Sequence, residues 1–140
     1  GFNFGMQGVQ FTATSTVAEN QTLSFPMYVH SIPNNNDNQD IVSMGCNAAL
    51  MTRKVIENSF EVLSIQLMTV LQGVDYLGCQ DKLSPVTAAV YREMREIFPK
   101  FIEDTHKYQD LARLRDHLEK SDLRLDSLDS VDSLGNKIDY

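Results

Sequence analysis

The sequence predicts a helical bundle fragment built on one long central helix, over about 41–77, with shorter helices after it. Three observations predict it. From Ile41 to Leu77 there is no Pro, and Val55, Ile56, Phe60, Leu63, Leu67, Leu71 and Val74 recur at spacings of mostly three and four, the period of a helix with an apolar stripe. Gly78 follows at once, suited to the left-handed residue that ends many helices. Ser84-Pro85 then pairs a capping hydroxyl with a proline at the first helical position, a strong start signal.

Before the long helix, periodicity leaves the first segment, about Gly5 to Phe25, open. Val9, Phe11, Ala13, Ser15 and Val17 alternate with Gln10, Thr12, Thr14 and Thr16, a strand pattern rich in β-branched residues. Met6, Val9, Ala13 and Val17 also make a helical stripe, but the alternation leans to strand. A polar loop follows, bracketed by Pro26 and Pro33 and filled by Asn34-Asn35-Asn36-Asp37-Asn38-Gln39-Asp40. Asn and Asp favour turns and helix caps, so Asp37 or Asp40 is expected to cap the next helix.

The long helix begins with the helix formers Ala48, Ala49, Leu50, Met51, Lys54 and Glu57 and also carries Val62, Ile65, Met68 and Val70 on other faces. A rod apolar nearly all round must be buried nearly all round. At about 55 Å it outruns a compact domain of this size, so its partners are expected from other subunits or further chain. After it, Val86, Val90, Met94 and Ile97 stripe a helix that Pro99 stops, and Tyr108, Leu111, Leu114 and Leu118 stripe another over about Asp104 to Ser121, with Asp116 and Lys120 as an i,i+4 pair. Residues 1–121 thus form the helical part. Residues 122–140 form an acidic tail with the triplets Asp126-Ser127-Leu128, Asp129-Ser130-Val131 and Asp132-Ser133-Leu134, whose spacing of three is not that of a calcium loop.

Composition narrows the function classes. The chain has 140 residues, 42% hydrophobic and 22% charged, which excludes wholesale disorder. Twelve Lys and Arg against nineteen Asp and Glu give a net charge of −7, and no clustered basic surface offers itself to nucleic acid. The longest apolar run, Val62 to Val74, contains Gln66 and Gln72 and is too short for a membrane span. No basic segment followed by an apolar run marks a signal peptide. The apolar opening Gly1-Phe2-Asn3-Phe4 is unusual for a natural terminus and suggests part of a longer chain. Cys46 and Cys79, on the order of 50 Å apart along the long helix, cannot pair within one chain. Two free thiols point to a reducing, cytoplasmic setting.

Familiar catalytic signatures are missing. His30, His106 and His117 are scattered, and no His-Glu-x-x-His or Cys-x-x-Cys occurs, so no metal is expected. There is no Gly-x-Ser-x-Gly elbow, and Gly1, Gly5 and Gly8 have the wrong spacing for a phosphate loop. The Asn/Gln cluster before the long helix is the unusual polar feature. It could be a surface turn with a cap, or a set of amides aimed at a ligand near a helix N-terminus.

Ala18-Glu19-Asn20, Pro26, His30-Ser31-Ile32-Pro33 and Asn38-Gln39-Asp40-Ile41-Val42-Ser43-Met44-Gly45, taken together at this spacing, closely resemble the C-terminal part of the aromatic amino-acid ammonia-lyases. That family comprises histidine, tyrosine and phenylalanine ammonia-lyases and related aminomutases. The likeness covers about Gly5 to Leu118, and the Ser-Ile-Pro and Val-Ser-Met-Gly pieces look like the bacterial histidine ammonia-lyase branch. The resemblance implies an all-α fold, with the first segment helical against the strand lean, and a homotetramer built around long helices. It implies elimination of ammonia from an aromatic L-amino acid through a self-derived 4-methylideneimidazol-5-one, giving an α,β-unsaturated acid. That electrophile forms from an Ala-Ser-Gly, which does not occur in these 140 residues, so this segment alone is expected to be inactive.

By the same resemblance, Asn38 and Gln39 align with the catalytic pair beside the electrophile. Asn35 aligns with the position facing the substrate amine, and Gln7 with a pocket-lining position. Histidine lyases carry Glu where this chain has Gln39, a departure that opens tyrosine or phenylalanine as substrate. A rival reading is a non-catalytic helical module in which the long helix drives oligomerisation and the Asn cluster is only a cap.

Overall fold

The computed structural model describes residues 4–120, in which there are four α-helices and no β-strand. Helix α1 is Gln7–Leu23, α2 Gly45–Leu77, α3 Pro85–Ile97 and α4 Tyr108–Lys120, with short 3-10 turns at Met27–His30 and Gln80–Lys82. The acidic tail expected over 122–140 lies outside the described residues.

The first segment is a helix, which corrects the strand lean. Its inward stripe is Met6, Val9, Ala13, Thr16, Asn20 and Leu23, with Phe11 and Val17 exposed. Two polar residues sit in that stripe, so apolar periodicity alone hid it. Thr16 satisfies its hydroxyl on the Thr12 carbonyl at 3.0 Å. Asn20 meets Asn58 of α2, whose buried amide donates to Asn20 Oδ1 at 2.8 Å and to Glu19 Oε2 at 2.9 Å. A buried amide with both donors satisfied fixes the register between two helices at little desolvation cost.

Helix α2 spans 33 residues, about 50 Å, and starts at Gly45 rather than Ile41. The reason is Ser31, whose Oγ accepts the Val42 N–H at 2.8 Å and donates to the Asp40 carbonyl at 3.4 Å, holding 40–42 out of the helix. Neither Asp37 nor Asp40 caps α2. The capping position is Met44, in the left-handed region at φ 53° with no side-chain bond. At the other end Gly78 takes φ 59° as expected, and its N–H and that of Cys79 return to the Asp75 and Val74 carbonyls. Ser84 caps α3 by accepting the Thr87 N–H at 3.3 Å. Phe98, extended at φ −119° ahead of Pro99, closes that helix as a residue before proline does. Helix α4 begins at Tyr108 rather than near Asp104, and Tyr108 faces solvent, as Val90 of α3 does in part. Asp116 and Lys120 pair at 2.5 Å.

The core sits at the C-terminal half of α2. Met68 and Leu71 meet Met94 of α3, Phe98 and Leu114 of α4, with Met6, Leu67, Tyr91, Ile97, Phe101 and Leu111 packed around them. Beside it lies a polar node. Arg95 pairs with Asp75, donates to Gln72 Oε1 at 3.0 Å and to the Phe98 carbonyl at 2.9 Å, and lies over the Phe98 ring. Asp75 also accepts from Tyr91 and, at 2.9 Å, from Gln80. Burial alone would push the Asp75 carboxyl up. The bonds from Tyr91 and Gln80 and the charges of Arg95 and Lys100 outweigh it and hold the carboxyl below its ordinary range.

Much of α2 stays uncovered. Ile56, Phe60, Leu63, Leu67, Val70, Val74 and Leu77 follow one another at alternating steps of four and three, and the heptad-spaced Ile56, Leu63, Val70 and Leu77 are 52%, 50%, 52% and 72% exposed. That is the seam of a helix made to pack lengthwise against another helix.

Candidate functional site

The loop ahead of α2 is built by its own backbone. Asn34 and Gln39 face each other in a two-bond bridge, the Asn34 N–H donating to the Gln39 carbonyl at 3.1 Å and the reverse at 3.3 Å. Inside it, Asn35, Asn36 and Asp37 all lie in the left-handed region, at φ 55°, 53° and 60°, and the Asn38 N–H closes on the Asn35 carbonyl at 3.2 Å. Asn and Asp are the residues other than Gly that tolerate this region, each at a cost of about 1–2 kcal/mol. Three in succession concentrate strain in one tight turn, and such strain gathers at functional sites. Turn and bridge together hold Asn35, Asn38 and Gln39 in one exposed loop, with Asp37 inside the turn and Asp40 just after it. The three amide side chains are exposed and have no hydrogen-bond partner among the described residues. Chemically the three amides can donate to and accept from a ligand without exchanging protons with it.

Ser31 ties the segment before this loop to the segment that leaves it, at Asp40 and Val42, three residues short of α2. Next to the loop's stems Leu23, Phe25, Met27, Tyr28, Met51 and Val55 line an open, mostly apolar groove of about 380 Å³.

Gln7 lies elsewhere. Helix α1 runs antiparallel to α2, and Gln7 in its first turn lines a groove of about 500 Å³ with Gln10, Ala13, Val62, Ile65 and Thr69 among others. Some twenty residues of α2, about 30 Å, separate that groove from Gly45. The structure therefore brings Asn35, Asn38 and Gln39 together and leaves Gln7 apart from them within one chain. No group of three or more His, Cys, Asp or Glu that could hold a metal ion is found among the described residues. No described helix is long and apolar enough to cross a membrane.

Sequence reading missed the backbone strain in the loop, the buried Asn58 and the Asp75–Arg95 node. Asn58 left one trace, an amide within an otherwise apolar register. The left-handed run left only its composition.

Comparison with known proteins identifies the family. Residues 1–96 match the model of the aromatic amino acid lyase family. The chain is 36% identical over 122 residues to the MIO-dependent tyrosine 2,3-aminomutase of Streptomyces globisporus, covering 87% of this chain and 22% of that protein. It is 39% identical over 116 residues to histidine ammonia-lyase 1 of Fusobacterium nucleatum, covering 83% and 22%, and 34% identical over 114 residues to the tyrosine ammonia-lyase of Cupriavidus metallidurans, covering 81% and 21%. The crystal structure of tyrosine aminomutase from Streptomyces globisporus superposes with a TM-score of 0.82 at 33% identity, over 99% of this chain and 25% of that one. The chain thus spans about a fifth to a quarter of the length of the relatives it matches. With a family model matched over more than half its residues and a shared helical fold, the chain belongs to the aromatic amino acid lyase family.

Proposed function

We propose that this chain is the C-terminal helical part of a cytoplasmic, 4-methylideneimidazol-5-one-dependent ammonia-lyase. The complete enzyme eliminates ammonia from an aromatic L-amino acid to give an α,β-unsaturated acid. The observation that carries this reading is the strained turn that holds the amides Asn35, Asn38 and Gln39 in one exposed loop in a member of this family.

The donor chemistry of those side chains fits an imidazolone, whose ring oxygen accepts hydrogen bonds and whose polar edge suits amides. Asn38 and Gln39 would hold it, and when bound it supplies the electrophile that activates the substrate for loss of ammonia. This chain's own residues bind and orient. Asn35 meets the substrate amine, Asn38 and Gln39 keep the reacting groups aligned, and the amides leave proton abstraction to a base outside this segment. Such preorganisation lowers a barrier because the dipoles are already aimed when charge develops. Gln7, about 30 Å away along α2, serves a pocket that a second copy completes, which the exposed heptad seam supports: it offers the length and spacing for a homo-oligomer, in our reading a tetramer. The free thiols of Cys46 and Cys79 support the reducing compartment.

For the substrate, Gln39 lacks the negative charge that would complement an imidazolium, so we favour a neutral ring, tyrosine or phenylalanine, over histidine. A second reading, an aminomutase that returns the amine to the β-carbon, draws on the likeness to the Streptomyces globisporus enzyme. A panel of histidine, tyrosine and phenylalanine on the complete protein tests both. The expected result is ultraviolet absorbance of an unsaturated acid from tyrosine or phenylalanine, and none from the isolated 140 residues. A β-amino acid product favours the aminomutase. Activity of the isolated segment sinks the proposal, and a folded complete protein inert on all three favours the non-catalytic module.

A further inference from the structure

The turn that leads into α1 is held by a residue one hundred positions away. Asp104, in the connection between α3 and α4, accepts the Phe4 N–H at Oδ2 and the Gly5 N–H at Oδ1, the latter at 3.0 Å. The Phe4 carbonyl in turn accepts the Gln7 N–H at 3.2 Å. Helix α1 has no side-chain cap at Met6 and no acid in its first turn, so a distant carboxylate takes the place a capping side chain would have. Gly5 permits the turn, because its φ of 59° strains any residue with a Cβ although nothing lies within 4 Å of where a Cβ would stand. The connection that carries Asp104 is itself fixed. Gln72 of α2 donates to the Phe101 carbonyl at 3.0 Å, the Phe101 ring meets Phe98 edge-on with centroids 5.9 Å apart, and the Lys107 ammonium lies 3.7 Å over the Phe101 ring. A continuous path of contacts thus runs from the core through Asp104 and the Phe4 peptide to Gln7.

We propose that Asp104 is a positioning residue for Gln7: its carboxylate fixes the Phe4–Gly5 turn and so sets where the Gln7 amide stands in its groove. This rests on the reading of Gln7 as a substrate-lining residue. Both carboxylate oxygens are used, each on a backbone donor. Asp104→Asn keeps one acceptor and turns an amide N–H₂ against the other donor, and the first turn of α1 must shift or fray.

The test is a double-mutant cycle in the complete enzyme, read by steady-state kinetics on its best aromatic substrate. Gln7→Ala and Asp104→Asn are each expected to raise KM by about three- to tenfold with kcat changed less than about twofold. The pair is expected to be no worse than Gln7→Ala alone, because residues acting through one contact are not additive. Gly5→Ala strains the same turn while leaving the Asp104 carboxylate in place and should show the same KM shift and the same non-additivity; it carries the test if Asp104→Asn does not fold. Multiplying effects in the double variants, or an equal fall in kcat for every substrate, means a general structural role and overturns the proposal. A raised KM in Gln7→Ala with an unchanged KM in both Asp104→Asn and Gly5→Ala overturns it while leaving Gln7 in the site. A silent Gln7→Ala removes Gln7 from the site and the proposal with it.

Discussion

The two halves of α2 lie on one unbroken helix and are covered differently. From Ser64 onward the inward side chains Ile65, Met68 and Leu71 are buried against α3, Phe98 and α4, and the polar groups beside them are tied into the Asp75–Arg95 node. Between Gly45 and Ser59 the single buried side chain is Asn58, while Leu50 and Ile56 face solvent. Here α2 faces α1, the Met27–His30 turn and, at its edge, Glu119 of α4 across open grooves. One half thus holds the chain's own core on its inner face, and the other has almost none, while the exposed apolar seam runs along both. Stability and function are therefore expected to be separable by position along a single helix.

The largest effect that would break this division is on the core. Phe98→Ala, at a fully buried ring, should cost about 3–5 kcal/mol of stability and open the amides of α3 and α4 to hydrogen exchange before those of α1. Uniform exchange across all four helices would mean that the halves do not differ. Next comes Gln39→Ala in the complete enzyme. Turnover should fall about a hundredfold, as on loss of one preorganised dipole, while the melting temperature stays within a few degrees. Equal activity, or an equal loss of stability, returns the loop to the status of a cap.

The smallest effect sharpens the comparison through pH. The folded Asp75 carboxyl lies below its unfolded value of about 3.9, so its contribution is complete above that pH and is lost as pH falls through the folded value. Asp75→Asn should melt lower than the parent at neutral pH, partly because Arg95 loses its anion, and the gap should narrow below about pH 4. A gap independent of pH would show that the node is held by packing rather than charge.

Much of this was legible in the sequence, and for physical reasons. The long helix, its end at Gly78 and the Ser84 cap follow from local preferences that tertiary contacts did not override. The start of α2 was displaced because Ser31, from an earlier turn, claims the Val42 N–H. The helical nature of α1 was masked because Thr16 and Asn20 hold two inward positions, and an amide that finds Asn58 looks from sequence like a surface residue. The amide loop stood out by composition, but the role proposed for it rests on the resembling motif, since left-handed geometry in three successive residues has no periodic signature. Gln7 carried no local mark at all, and its separation from the other three amides depends on the antiparallel pairing of α1 with α2.

The Asp104 contact also bears on how the chain orders in time. Helices α2, α3 and α4 can meet through short connections, but the Phe4 and Gly5 peptides find their acceptor only after about a hundred residues have been brought round, and closing so long a loop is entropically slow to reward. The first turn of α1 is then expected to settle after the core of α2, α3 and α4. Pulse-labelled exchange during refolding should show Phe4 and Gly5 gaining protection after the core, so that the groove beside Gln7 takes its final shape at the end of folding.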